Sequence, residues 1–440
     1  MTRLRSTEVA GWGRALRGTS EVARPRWRDE LPAAVAAAAA HPGRALAMGL
    51  ARSYGDSGLN FGGAAVDMTA LDRVHAFDAE TGVIRADAGL SLDGLIRLAL
   101  PRGWFPPVVP GTKFVTLGGA VANDVHGKNH HRAGTFGAHV RRLSLRRTDG
   151  TVHEPAAGDP LFAATVGGMG LTGVIEWVEL QLEPVAGAFL EVEDIPIGSL
   201  ADFFALSSES EASHAQTVAW IDCTRTGRGV GRGIFTRANW SQRPDRPLHR
   251  APRLAVPIDA PGFTVNPLTL RAFNAAYYGL RRMNAGKAER HYDPVTFPLD
   301  AVRGWNRIYG PAGFHQHQCV VPPAAAPEAM AELLNEIGRS GEGSFLVVLK
   351  TFGDRPSPGL MSFPMPGTTL AIDFRNRGEA TLKLLERLDA IVRAAGGRLY
   401  PAKDGRMSGA MLAAGYPNLD SFRAHLDPGL SSAFWRRVQP

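Results

Sequence analysis

The sequence predicts an α+β fold, and three observations carry that prediction. Short apolar runs of strand length alternate with helix-forming stretches through residues 1–185. An Asp149-Gly150 pair stands between two strand-like runs, a hairpin signal that belongs to antiparallel sheet. Two later segments carry apolar residues at helical period, with a buried strand between them, so helices packed on a further sheet are expected.

In chain order, residues 29–41 (DELPAAVAAAAAH) are strong helix formers stopped by Pro42-Gly43. Ala45 to Met48 reads as a strand running into a loop from Gly49 to Gly58. Residues 64–68 and 82–86 read as strands and 91–101 as a helix. His139 to Arg147 alternates as a strand before the Asp149-Gly150 turn. Residues 225–300 are rich in Arg, Pro and Asn with weak periodicity, and read as a substrate-domain excursion with long loops. Met330, Leu333, Leu334 and Ile337 mark a helix, Phe345 to Leu349 a buried strand, and Leu385, Leu388, Val392 and Ala395 a second helix capped by Gly396-Gly397.

Composition narrows the function classes. The 440 residues carry a net charge of +7, but no basic cluster of the nucleic-acid type, so no nucleic-acid partner is expected. No stretch of about 20 apolar residues is present, so no membrane span is expected. Met1 to Arg28 is polar and Arg-rich, without the apolar core of a signal peptide. Cys223 and Cys319 resemble neither a metal site nor a disulfide framework, and a cytoplasmic setting fits. Only six of the 49 basic residues are lysines, at 113, 128, 287, 350, 383 and 403. In such a chain a lysine is the exception, kept where a compact ammonium of adjustable pKa is needed.

Three glycine-dense segments lie beside strands. The first is Ala47-Met48-Gly49-Leu50-Ala51-Arg52-Ser53-Tyr54-Gly55-Asp56-Ser57. Small residues let backbone N–H groups close on an anion, and Arg52 and Ser53 add donors. This is neither a Rossmann fingerprint nor a P-loop. The second runs from Pro110 through Gly111, Thr116, Leu117, Gly118 and Gly119 into His126-Gly127-Lys128-Asn129-His130-His131. Its imidazoles could ligate zinc, but no Cys or H-E-x-x-H partner exists and adjacent His130-His131 cannot easily face one ion, so no metal is expected. The third is Thr165 to Gly173. Together they suggest an extended ligand carrying phosphates.

These segments resemble the FAD-binding (PCMH-type) domain of the vanillyl-alcohol oxidase superfamily. The similarity is closer still to its decaprenylphosphoryl-β-D-ribose 2-oxidase-like branch, through GWGR (Gly11–Arg14), ARSYGDS (Ala51–Ser57), HGKNHH (His126–His131), GGMGLTG (Gly167–Gly173), WNRIYGPAGF (Trp305–Phe314) and YPAKDGR (Tyr400–Arg406). The resemblance implies a two-subdomain FAD-binding domain over 1–185, a substrate domain with an antiparallel sheet and helices over 186–397, and a return to the FAD domain over 398–440. It implies that Ala47 to Ser57 hold the FAD pyrophosphate. Gly111 and Thr116 to Gly119 would flank it, His126 to Asn129 would lie beside the isoalloxazine, and Val174 and Tyr400 would complete the pocket. Asp56 stands where covalent members often place a histidine, so non-covalent FAD is implied. Trp220, Gln316, Gln318, Lys350, Thr369 and Ala371 would face the substrate, with Lys403 and His126 catalytic.

The implied reaction is oxidation of a sugar secondary hydroxyl to a ketone. The leading role is in arabinan precursor synthesis, at a lipid-phosphate-linked sugar and the membrane surface, with room for a short-chain dehydrogenase partner that reduces the ketone. A tailoring oxidase acting on a soluble sugar, nucleoside or aminoglycoside is the alternative, and a non-catalytic flavin or sugar-phosphate binder a further one. The chain departs from the branch on the substrate side. Ala371 replaces a cysteine and Thr369 an asparagine, a tyrosine is lost near Thr296, and His315 and His317 enter an apolar pattern.

Overall fold

The computed structural model describes residues 3–252 and 254–439. Two small sheets form the first part. Strands β1 (Arg5–Ala10), β2 (Arg17–Ala23), β3 (Ala47–Met48) and β4 (Ala64–Asp67) pair in the order β1-β2-β4-β3, with parallel pairing at β4. Strands β5 (Val74–Phe77), β6 (Val83–Asp87), β7 (Val140–Arg146), β8 (Val152–His153) and β9 (Val174–Gln181) form an antiparallel sheet, β5-β6-β9-β7-β8. The Asp149-Gly150 turn joins β7 to β8, with Gly150 at φ +91°.

Helix α1 (Leu31–Ala39) buries Leu31, Ala34, Val35 and Ala38 against the first sheet. Helix α2 (Leu92–Ala99) begins where Ser91 Oγ accepts from Gly94 N, and buries Leu92, Leu95, Ile96 and Ala99. Helix α3 (Leu117–Ala122) begins in the same way, with Thr116 Oγ1 accepting from Gly119 N at 3.1 Å.

The second part is one antiparallel sheet of eight strands. These are β10 (Phe189–Ile197), β11 (Gln216–Ile221), β12 (Gly233–Trp240), β13 (Gly286–His291), β14 (Phe314–Val321), β15 (Val347–Phe352), β16 (Gly367–Arg375) and β17 (Arg398–Leu399), in the order β13-β10-β12-β11-β15-β16-β14-β17. Alternation divides its residues between two faces. One face sends Ile221, Phe235, Cys319, Val347, Leu349, Leu370 and Ile372 into the main core, under α4 (Leu200–Glu211), α6 (Ala326–Ser340) and α7 (Glu379–Ala394). Each large aliphatic buried there contributes about 1.5–3 kcal/mol relative to exposure. Helix α7 ends as its glycines require: Gly396 takes φ +68° and Gly397 N donates to Val392 O. The opposite sheet face carries the polar residues and faces the N-terminal part.

One expected region is corrected. Residues 225–300 hold β12, β13 and, between them, α5 (Pro267–Met283), a 17-residue helix. Its period is blurred because its inner face includes Asn274 and Arg281, while Leu268, Leu280 and Met283 point to solvent. The chain end packs on the first part: Ala45 N donates to Gly429 O, and Leu430 joins the cluster of Val35 and Val66. Arg398 and Leu399 are nevertheless the edge strand of the large sheet.

Candidate active site

A cavity of about 960 Å³ lies between the two parts. One wall comes from the glycine-dense loops and the other from the polar face of the large sheet.

On the loop side, Ala47 to Gly55 and Ser57 line the cavity, with Gly111, Thr116, Gly118, Gly119, Gly127 and Asn129. The missing side chains make the cradle. A Cβ on Gly49 would stand 2.5 Å from Thr116 Oγ1, and one on Gly127 would stand 2.8 Å from Val109 O. Ala51 holds φ +50°, which turns the loop inside the cavity wall. Arg52 donates from Nε to Phe114 O and stacks its guanidinium 4.0 Å from the Trp12 ring centre. A glycine-walled space lined by an arginine and by loop backbone suits a dinucleotide with a pyrophosphate, so these residues fit FAD.

On the sheet side, β-register brings the polar residues together. Lys350 pairs with Thr369, and Ala371 pairs with Val348 on one side and Gln318 on the other. Gln316 pairs with Asp373. Because these residues share one face, Gln316, Gln318, Val348, Lys350, Thr369 and Ala371 all line the cavity, as do His126, Lys128, Tyr400 and Lys403 from the loops.

Three lysines therefore share one buried space. Burial lowers Lys403 to about 7, with Asp373 pulling the other way and Lys350 adding to the fall. Burial and the charge of Lys350 bring Lys128 to about 7. Burial alone brings Lys350 to about 8. Lys128 Nζ donates to Thr296 O at 3.0 Å and to Val295 O, and Lys350 Nζ to Gly127 O at 3.4 Å.

His126 is packed among the rings of Phe352, Phe363 and Tyr400. Burial, then the charges of Lys350 and His130, hold it well below the usual imidazole range, so it is neutral. Gln318 Nε2 donates to His126 Nε2 at 3.0 Å, which leaves the proton on Nδ1. That Nδ1 is buried and has no hydrogen-bond partner among the described residues.

Four expected site residues lie elsewhere. Asp56 turns away and binds Arg437 through Oδ1 at 2.7 Å. Leu117 and Val174 are buried in the apolar clusters beside the small sheets, while Gly173 and Ile175 reach the cavity in place of Val174. Trp220 shares the cavity face with Gln216 and Val218, but its ring lies 4.7 Å from Tyr277 of α5, and its Nε1 donates to Phe345 O. Helix α5 covers the position that the sequence reading gave to substrate.

Asp373 was missed. It is fully buried, accepts from Gln316 Nε2 at 2.7 Å, and has an unpartnered Oδ2. Burial pushes its carboxyl up to about 7, against the pull of Gln316 and Lys403. Continuing the two-residue step from Thr369 and Ala371 would have found it.

Comparison with known proteins identifies the family. The FAD binding domain family matches residues 19–156. The decaprenylphosphoryl-β-D-ribose oxidase of Mycolicibacterium smegmatis is 39% identical over 98% of this chain and 97% of its own length. An uncharacterized protein of Streptomyces coelicolor is 35% identical over 78% of this chain and 97% of its own. The L-gulono-1,4-lactone dehydrogenase of Mycobacterium tuberculosis is 32% identical over 38% of each chain. By that near-complete match the chain belongs to the decaprenylphosphoryl-β-D-ribose oxidase family, as an FAD-dependent oxidoreductase acting on CH–OH donors.

Proposed function

We propose that the protein oxidises the 2-hydroxyl of decaprenylphosphoryl-β-D-ribose, or of a close polyprenyl-phosphate pentose, to a ketone. The observation that carries this reading is the convergence of Lys128, Lys350 and Lys403 on one buried space with His126, Gln316 and Gln318. Bound FAD supplies the two-electron acceptor for the carbinol C–H.

In this reading Ala47 to Ser57, Gly111, Thr116 to Gly119 and Tyr400 hold the cofactor without a covalent bond. The two small sheets are the two halves of an FAD-binding unit spanning 1–185, residues 186–397 form the substrate unit, and 398–440 return to the first. Lys403, whose neutral form is well populated near pH 7, accepts the hydroxyl proton. Neutral His126 orients the sugar, since an imidazole held so far down is a weak base. Gln316 and Gln318 offer amides to the remaining hydroxyls. Lys128 and Lys350 attract the substrate's phosphate, and the low local dielectric strengthens that attraction. Reduction of the ketone by a short-chain dehydrogenase rests on the resemblance alone.

Anaerobic mixing with a panel of alcohols tests the reading. Bleaching of the flavin absorbance by a polyprenyl-phosphoryl ribose, and not by soluble glycosides, is expected. Bleaching by a soluble sugar alone would assign a tailoring oxidase instead.

A further inference from the structure

Helix α5 buries Leu270 and packs Tyr277 on Trp220, yet it leaves large apolar side chains on its water-facing side. Its inner side is fixed by Asn274, whose Nδ2 donates to Asp222 Oδ1, and by Arg281, paired with Asp194. Its outer side presents Leu268 and Met283, each 76% exposed, with Ala272 and Ala275 between them at helical spacing. A helix beside water normally carries polar residues there.

The segment leading into α5 continues the pattern. Ala255, Val256 and Pro257 line the cavity, and the next large apolar side chains, Ile258 and Phe263, are 74% and 76% exposed. The charge of this region is one-sided. Residues 246–283 contain six arginines, and Asp259, paired with Arg14, is their only acid. Arg271 and Arg282 are exposed beside the apolar ridge and form no ion pair among the described residues. No helix among the described residues is long and apolar enough to cross a membrane.

We propose that the ledge formed by Ile258, Phe263 and the outer face of α5 docks on the surface of an anionic lipid bilayer, at the rim through which a lipid-linked substrate enters the cavity. An apolar ridge flanked by arginines and nearly free of acids is the composition of an interfacial helix: the ridge enters the acyl boundary while the guanidiniums meet lipid phosphates. The 17 residues of α5 lie along about 26 Å, so the helix rests in the interface and does not insert. The purpose of this surface rests on the lipid-linked reading of the substrate; its existence does not.

Co-sedimentation of the FAD-loaded protein with vesicles tests it without any substrate. Wild type is expected to partition onto vesicles of equal parts phosphatidylglycerol and phosphatidylcholine, and weakly onto phosphatidylcholine alone. Leu268→Glu with Met283→Glu should lower partition about tenfold or more. Arg271→Gln with Arg282→Gln should cost roughly fivefold per arginine and remove the preference for anionic lipid. Flavin content and turnover of detergent-dispersed substrate should stay at wild-type levels in both variants, since neither pair lines the cavity. Equal partition of wild type and the Leu268→Glu, Met283→Glu variant would overturn the proposal. So would a dimer that this variant dissolves, with no vesicle binding, because the ledge would then join two copies of the chain. Failure of every lipid-linked alcohol to bleach the flavin would overturn the substrate reading and leave vesicle binding intact.

Discussion

The ammonium nitrogen of Lys403 lies 3.8 Å from the centre of the Tyr54 ring. Tyr54 belongs to the first glycine-dense loop and Lys403 to the AKD segment, nearly 350 residues apart in the chain. The contact is held from both sides: Tyr54 N donates to Ala402 O, and Asp404 is fixed through Arg437, which also binds Asp56. The first glycine-dense loop and the Lys403 segment thus form one unit.

Lys403→Ala should retain FAD and lose turnover by about two orders of magnitude or more, the usual worth of a positioned base. Flavin content by absorbance, and the rate of anaerobic bleaching, separate the two effects. A near-wild-type rate would remove Lys403 from the mechanism.

The pH dependence has a defined sign. In the proposed mechanism Lys403 accepts a proton only as the neutral amine, so kcat/KM should rise with pH through about 7 and then fall as Lys128 and Lys350 lose the charge that attracts the phosphate. The buried Asp373 favours the charged ammonium, so Asp373→Asn should move that limb to lower pH. A limb that stays in place would show that Asp373 does not act on Lys403.

Flavin should leave the protein on acid denaturation. Asp56 is committed to Arg437, and among the described residues lining the cavity His126 is the one imidazole and there is no cysteine. Colour remaining with the precipitate would refute non-covalent binding.

Gly55→Ala should cost roughly 1–3 kcal/mol and release FAD, as overpacking against backbone does. A Cβ there would stand 1.6 Å from Asp404 O, so the cofactor loop and the Lys403 loop would have to part. Thermal unfolding with and without added FAD measures both losses; an unchanged midpoint would contradict the close approach.

Electrophiles that the flavin generates and a cysteine normally captures should not label the wild-type protein. Ala371 carries no nucleophile, while Cys319 and Cys223 are buried in the core, with burial pushing each thiol up to about 12. Ala371→Cys should gain a stoichiometric adduct by intact-mass spectrometry. An adduct on the wild type would show that a buried thiol reaches the cavity.

The sequence by itself determined what depends on local chemistry. Glycine loops announced the cofactor cradle because only a missing Cβ permits the approach that Gly49 and Gly127 make. The scarcity of lysine marked all six lysines, and the family resemblance placed 128, 350 and 403 among them in the site. Strand parity separated Gln318 from Cys319 without coordinates. Tertiary structure alone decided what depends on partners distant in the chain. Asp56 left the cavity because Arg437 came to meet it, and Trp220 was covered because α5, hidden in sequence by polar residues on its inner side and apolar ones on its outer side, lies across it. Asp373 was buried behind the cavity wall by its register with Gln316, where its charge acts on Lys403. Register, ion pairing and burial join residues hundreds of positions apart, and no local pattern records them.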